Sequence, residues 1–97
     1  MRKNEFEKWM LTQKRIYNGK LDFYSESAII SRISSLNKLE SHFNINIDDK
    51  ITSIETAKQF LIEIRNANIE DLKHTPLSNA FRHYFKFATG IYIDKIF

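Results

Sequence analysis

Ninety-seven residues leave room for one domain and not for two. With 42% hydrophobic residues, including eight Phe, four Tyr and one Trp, the chain is too apolar to be disordered, and the absence of Cys excludes disulfides and thiolate zinc sites. The net charge of +3 is mildly basic, which excludes no class of partner by itself.

The first predicted helix covers residues 4–17. Asn4 caps it, and Glu5 and Glu7 suit the positive end of the helix dipole. Phe6, Trp9, Met10, Gln13, Ile16 and Tyr17 recur at helical spacing, and Asn18-Gly19 ends the run because both tolerate a left-handed backbone. A second helix spans 25–43, with Ser25 or Ser27 as its cap. Ile29, Ile33, Leu36 and Phe43 form its apolar stripe, and Ser31, Ser34, Lys38 and Ser41 lie opposite. Residues 44–51 read as a loop in which Ile45 and Ile47 tuck inward.

Thr52-Ser53-Ile54-Glu55 has the pattern of a capping box, with the Thr hydroxyl as cap, and opens a third helix over 53–66. Its buried set is Ile54, Ala57, Phe60, Leu61 and Ile64. A connection follows, with a short turn at 69–72. Thr75-Pro76 starts a fourth helix over 76–89, and Gly90 stops it. Leu77, Ala80, Phe81, Tyr84 and Ala88 share one side of that helix, flanked by Phe85 and Phe87. Asn79, Arg82, His83 and Lys86 share the other. The tail, 91–97, alternates apolar and polar residues and is expected to dock on the helices as a strand or a last turn. These elements make a compact all-α bundle of four helices.

The chemistry of catalysis is not legible here. No Gly-x-Ser-x-Gly turn presents a nucleophile, and two scattered glycines do not cradle a phosphate. His42, His74 and His83 have no partner at zinc-ligand spacing and read as surface residues. Asp48-Asp49 and Glu70-Asp71 read as solvated turns or dipole partners. We therefore expect a non-enzyme with no cofactor and no metal. The charged opening Met1-Arg2-Lys3-Asn4-Glu5 lacks the apolar core of a signal peptide, and no apolar run nears the ~20 residues of a membrane span. A soluble, cytoplasmic protein without membrane contact is the expectation.

The charge distribution is uneven. Residues 1–40 carry eight Lys/Arg against five Asp/Glu, residues 41–71 three against six, and residues 72–97 four against one. If the two basic ends meet in space, one face attracts polyanions. Helix four is the best candidate for that face. Asn79 and Arg82 are side chains that bond two base-edge atoms at once, Lys86 suits a phosphate, and His83 lies between them. Helix two adds Ser31, Ser34, Ser35 and Lys38, mostly short groups that permit close approach to a sugar-phosphate backbone. Lys14 and Arg15 (with Lys20) add cations from the end of helix one. Arg32 falls within the apolar stripe of helix two, where it is expected to snorkel or to pair with an acid such as Glu40.

The order of elements resembles the N-terminal, core-binding SAM-like domain of phage integrases, the tyrosine recombinases. The matching stretches are Phe6-Glu7-Lys8-Trp9-Met10, Ser25-Glu26-Ser27-Ala28-Ile29, Ser53-Ile54-Glu55-Thr56-Ala57-Lys58-Gln59-Phe60-Leu61 and Leu77-Ser78-Asn79-Ala80-Phe81-Arg82-His83-Tyr84-Phe85-Lys86-Phe87, together covering about residues 4–90. The resemblance implies an orthogonal four-helix domain that clamps duplex DNA, with helices two and four toward the major groove. Carried over by residue, it points to Ser27, Ser31, Lys38, Asn79, Arg82, His83 and Lys86. Recombinases of this family carry a catalytic domain after this one. Tyr84 lies on an apolar stripe and Tyr92 in the tail, so strand exchange is not expected of these residues alone.

Duplex DNA is thus the expected partner, with a recombinase catalytic domain as a possible protein partner. The alternative is a phage or mobile-element protein that inhibits a host nucleic-acid-processing or defence protein, with Tyr24, Phe87, Tyr92 and Phe97 as anchors. A monomer and a weak homodimer are both compatible with the sequence.

Overall fold

A computed structural model describes residues 1–67, 69 and 74–94. Its elements run α1 (Lys3–Met10), β1 (Lys14–Tyr17), β2 (Lys20–Phe23), α2 (Glu26–Phe43), a 3-10 turn (Ile47–Lys50), α3 (Ile54–Asn66) and α4 (His74–Thr89). The architecture is mostly helical, with four helices and one small antiparallel hairpin. No helix among the described residues is long and apolar enough to cross a membrane.

The three long helices begin and end for local reasons. Ser25 caps α2, its hydroxyl accepting from the Ala28 N–H at 3.2 Å. At the other end Asn44 takes a left-handed backbone, φ 53°, and stops the helix. Ser53 caps α3 by accepting from the Thr56 N–H at 3.1 Å. The cap is therefore one residue later than Thr52. α4 begins at His74, two residues before the expected start, so Pro76 sits inside the first turn, where its missing N–H costs nothing. Gly90, at φ 77°, closes it, with its N–H donating to the Lys86 carbonyl at 2.7 Å.

The first helix is shorter than its apolar spacing suggests, and the all-α reading is corrected at this point. α1 stops at Met10, where the Thr12 hydroxyl donates to the Trp9 carbonyl at 2.7 Å and tight turns carry the chain to Gln13. Residues 14–23 then form a hairpin with the register Lys14↔Phe23, Arg15↔Asp22, Ile16↔Leu21 and Tyr17↔Lys20. Asn18 and Gly19, at φ 51° and 78°, are its two loop residues. Positive φ at both positions is what a two-residue hairpin loop requires, because its twist matches that of the strands. Asn-Gly here is a hairpin turn and not a helix terminator.

α4 packs against α2 and α3, and α1 lies against α2 and α4. The core between them holds Phe6, Met10, Ile29, Leu36, Leu39, Phe60, Leu61, Ile64, Phe81, Tyr84 and Phe85. Its rings are in contact, Phe60 and Phe81 edge to face with centroids 4.9 Å apart and Phe6 and Tyr84 tilted at 5.3 Å. Ile47, in the 3-10 turn, is fully buried and Ile45 half-buried, as their alternation suggests. Ile93 anchors the tail to the core. The expected turn at 69–72 and the end of the tail fall largely outside the described residues, although Ile69 itself is buried.

One polar network ties the start of the chain to this core. The Tyr84 hydroxyl donates to Asp48 at 2.5 Å and accepts from the Arg2 N–H at 2.8 Å. The Met1 ammonium lies 3.1 Å from Asp48. Partial burial pushes the Asp48 carboxyl up, but the bonds from Tyr84 and the ammonium outweigh it and hold it below its usual range. Burial and the same Asp48 contact push the Tyr84 phenol up to about 12. Asp48 is thus a structural acceptor rather than a solvated turn residue.

Candidate functional site

The spacing of Asn79, Arg82, His83 and Lys86 at i, i+3, i+4 and i+7 brings them to one side of α4, where α1 and the hairpin converge. Trp9 and Gln13 come from α1 and the turn after it, Lys14 from β1, Tyr24 from the link into α2, and Tyr92 from the tail. Together they line a cavity of about 300 Å³. Among the described residues, three Lys/Arg and no carboxylate line it.

His83 is not the surface residue its sequence position suggests. Its Nδ1 lies 2.7 Å from the Asn79 carbonyl. A carbonyl only accepts, so Nδ1 carries the hydrogen and Nε2 accepts from the Tyr24 hydroxyl at 2.9 Å. Burial pulls the His83 pKa below its ordinary value, and although the Asn79 carbonyl works the other way, Arg32, Arg82 and Lys86 add to the downward pull. The ring is neutral at pH 7, with both nitrogens occupied.

The guanidinium groups are the less usual feature. Arg82 is only 7% exposed, and it donates to the Asn79 amide oxygen, a neutral partner. Arg32 does not pair with Glu40, whose carboxylate accepts from the Ile47 N–H at 2.8 Å. It lies instead with its carbon 5.6 Å from the centre of the Tyr24 ring, and its Nε is buried without a hydrogen-bond partner. Burial, with Arg15 adding to it, lowers the Arg32 pKa against the attraction of Tyr24. Among the described residues, neither Arg32 nor Arg82 has a carboxylate within 4 Å. Buried charges are ordinarily paired. This cluster has an excess of positive charge that no described residue offsets.

The cavity gathers Lys14, Asn79, Arg82, His83 and Lys86, five of the ten residues singled out from the sequence. Lys86 is exposed, with its Nζ 5.8 Å from the centre of the Tyr92 ring, and Lys14 is exposed with its Nζ 4.8 Å from that of Phe23. The other five lie elsewhere. Ser27, Ser31, Ser34 and Lys38 line a second groove of about 400 Å³ with Ile30, Pro76 and Leu77. Arg15, next to Lys14 on a strand, leaves the ribbon on its opposite side. It sits with its carbon 4.8 Å from the Tyr24 ring centre and lines a third concavity with Asp22, Ser25 and Ser27.

Trp9, Gln13, Tyr24, Tyr92 and Arg32 complete the site and were not assigned to it from sequence. Tyr24 and Phe87, expected as exposed anchors, are half-buried, Phe87 against Phe6 and Trp9. The signal for Tyr24 lay in Asn18-Gly19: once that pair is a hairpin turn, the strand after it delivers Tyr24 back to α4. Comparison of the chain with family models, curated proteins and solved structures finds no match.

Proposed function

We propose that this domain is a DNA-binding module that grips the phosphate backbone of duplex DNA through the side formed by α4 and the hairpin base, with the serine-lined groove of α2 as a second contact. One observation carries the reading. Lys14, Arg82 and Lys86 converge on a cavity that no carboxylate among the described residues lines, and Arg32, against the Tyr24 ring, adds a fourth cation beside it. Such a surface attracts a polyanion and gains by neutralising it. Asn79 and Arg82 bond to each other, so their part in this reading is phosphate contact and not base-edge recognition. The module is a binding domain and not an enzyme. Its context would be that of the core-binding domain of a tyrosine recombinase, from which the hairpin after the first helix is a departure.

The test is affinity for a fluorescent 20-base-pair duplex at low salt. Lys14→Ala/Lys86→Ala removes two exposed cations and is expected to weaken binding on the order of tenfold. No measurable duplex binding, or equal binding by the double variant, overturns the reading.

The hairpin favours a second reading. Ile16 and Leu21 face each other across the strands at 77% and 67% exposure. Paired apolar side chains left this open suit contact with a protein partner, such as a host defence protein. Ile16→Glu/Leu21→Glu would then abolish a nuclease-resistant complex while leaving duplex affinity in place.

A further inference from the structure

We infer that the cavity beside α4 is a seat for a single unstacked nucleotide, with its phosphate held by Arg82, Lys14 and Lys86 and its base laid against Trp9 and Tyr92. This rests on the nucleic-acid reading and narrows it from a charged face to a ligand class. At about 300 Å³ the cavity is at the small end of the ~300–1,000 Å³ typical of small-molecule sites. It admits one nucleotide and is too small for a segment of duplex.

Its lining has the two parts that a nucleotide needs. Aromatic rings stack on any base because every base has a π face, and cations hold the phosphate. Tyr92, 59% exposed, leaves room for a base, and Trp9 is held in place by Phe6 and Phe87, with centroids at 6.1 and 5.7 Å. Tyr24 is not a free platform, because two guanidinium groups, Arg15 and Arg32, lie over its ring and His83 takes its hydroxyl, whereas the one cation over Tyr92 is the exposed Lys86, which can turn to the phosphate. In the same lining, Arg82 is buried beside a neutral amide. A phosphate supplies the negative charge that the neutral partner of Arg82 does not, and it matches the planar fork of a guanidinium. Among the described residues, no carboxylate in the lining opposes it. The shared chemistry is a nucleoside 5′-phosphate, either free or at a strand end or extruded from one.

Trp9 is the only tryptophan of the chain, so its emission reports on the cavity directly. The full chain is titrated with deoxyadenosine monophosphate, with a 5′-phosphorylated six-nucleotide single strand, with a blunt unphosphorylated duplex and with inorganic phosphate. Saturable quenching by the mononucleotide or the single strand, with no change from inorganic phosphate at equal ionic strength, is the expected result. Quenching by the mononucleotide assigns a free ligand, and quenching by the strand alone assigns a strand end. Tyr92→Ala, at an exposed position, is expected to weaken whichever binds by roughly tenfold while the far-UV spectrum is unchanged. Absence of quenching by both ligands, or unchanged affinity in Tyr92→Ala, overturns the inference. If the duplex binds in either of those cases, the DNA-binding reading survives. If the mononucleotide binds and the duplex does not, the duplex reading alone falls.

Discussion

Burial first, then the nearby cations of Arg32, Arg82 and Lys86, pull the His83 pKa down against the Asn79 carbonyl, to which Nδ1 donates. A stability effect follows with a definite sign. Its folded pKa lies below the ordinary value of 6.5. Between the two values the unfolded chain binds the proton more readily, so stability falls as pH drops below about 6.5. Urea midpoints at pH 7.5 and 5.5 measure this, and His83→Gln is expected to lose less on acidification than the wild-type chain. An equal loss in both would remove His83 as the source. The Arg82 guanidinium is the complementary case. It is a charge the fold tolerates without a described counter-charge, and for that reason it is the residue on which the functional reading turns.

The hairpin is the element that builds the site, since it delivers Lys14 and Tyr24 to α4. Its loop depends on Gly19. A Cβ there meets nothing within 4 Å, so the cost of Gly19→Ala is the left-handed backbone at φ 78°, about 1–2 kcal/mol. With the strands largely exposed, that cost should appear as faster amide exchange across Lys14–Phe23, with the melting temperature of the helices little changed and duplex affinity reduced. Exchange equal to wild type would mean that the loop does not limit the hairpin.

The same element marks where sequence reasoning stopped. The last three helices are legible, because Ser25, Thr52-Ser53, Thr75-Pro76 and Gly90 punctuate runs whose apolar spacing is helical, although the α3 cap is Ser53 and not Thr52. The first was overextended because Gln13, Ile16 and Tyr17 happen to continue the spacing of Phe6 and Met10. Asn-Gly is compatible with both a helix end and a hairpin. The alternation in Lys20-Leu21-Asp22-Phe23, directly after the Asn-Gly pair, is the discriminating signal.

For the whole molecule, charge is the organising fact. The basic start and basic end of the sequence meet in space, as Lys14 and Lys86 share one cavity, and this much of the site was legible from composition along the chain. The division of the ten residues among three concavities was not. It depends on the strand alternation that separates Lys14 from Arg15, and on which turn of α4 the hairpin meets. Nor does a helical projection show that Arg82 is buried and His83 half-buried, because the polar side of α4 is covered from far earlier in the chain, Tyr24 reaching His83 across 59 positions.

The most direct measurement of the central claim is the salt dependence of duplex affinity. Binding through phosphate neutralisation gives a straight fall of log affinity with log salt, with a slope of about −0.9 for each phosphate engaged. The wild-type chain is expected to show a slope steeper than about −2, and Lys14→Ala/Lys86→Ala a slope shallower by about 2. An affinity independent of salt, or a slope unaltered by removal of these two lysines, would contradict the assignment of this face to nucleic acid.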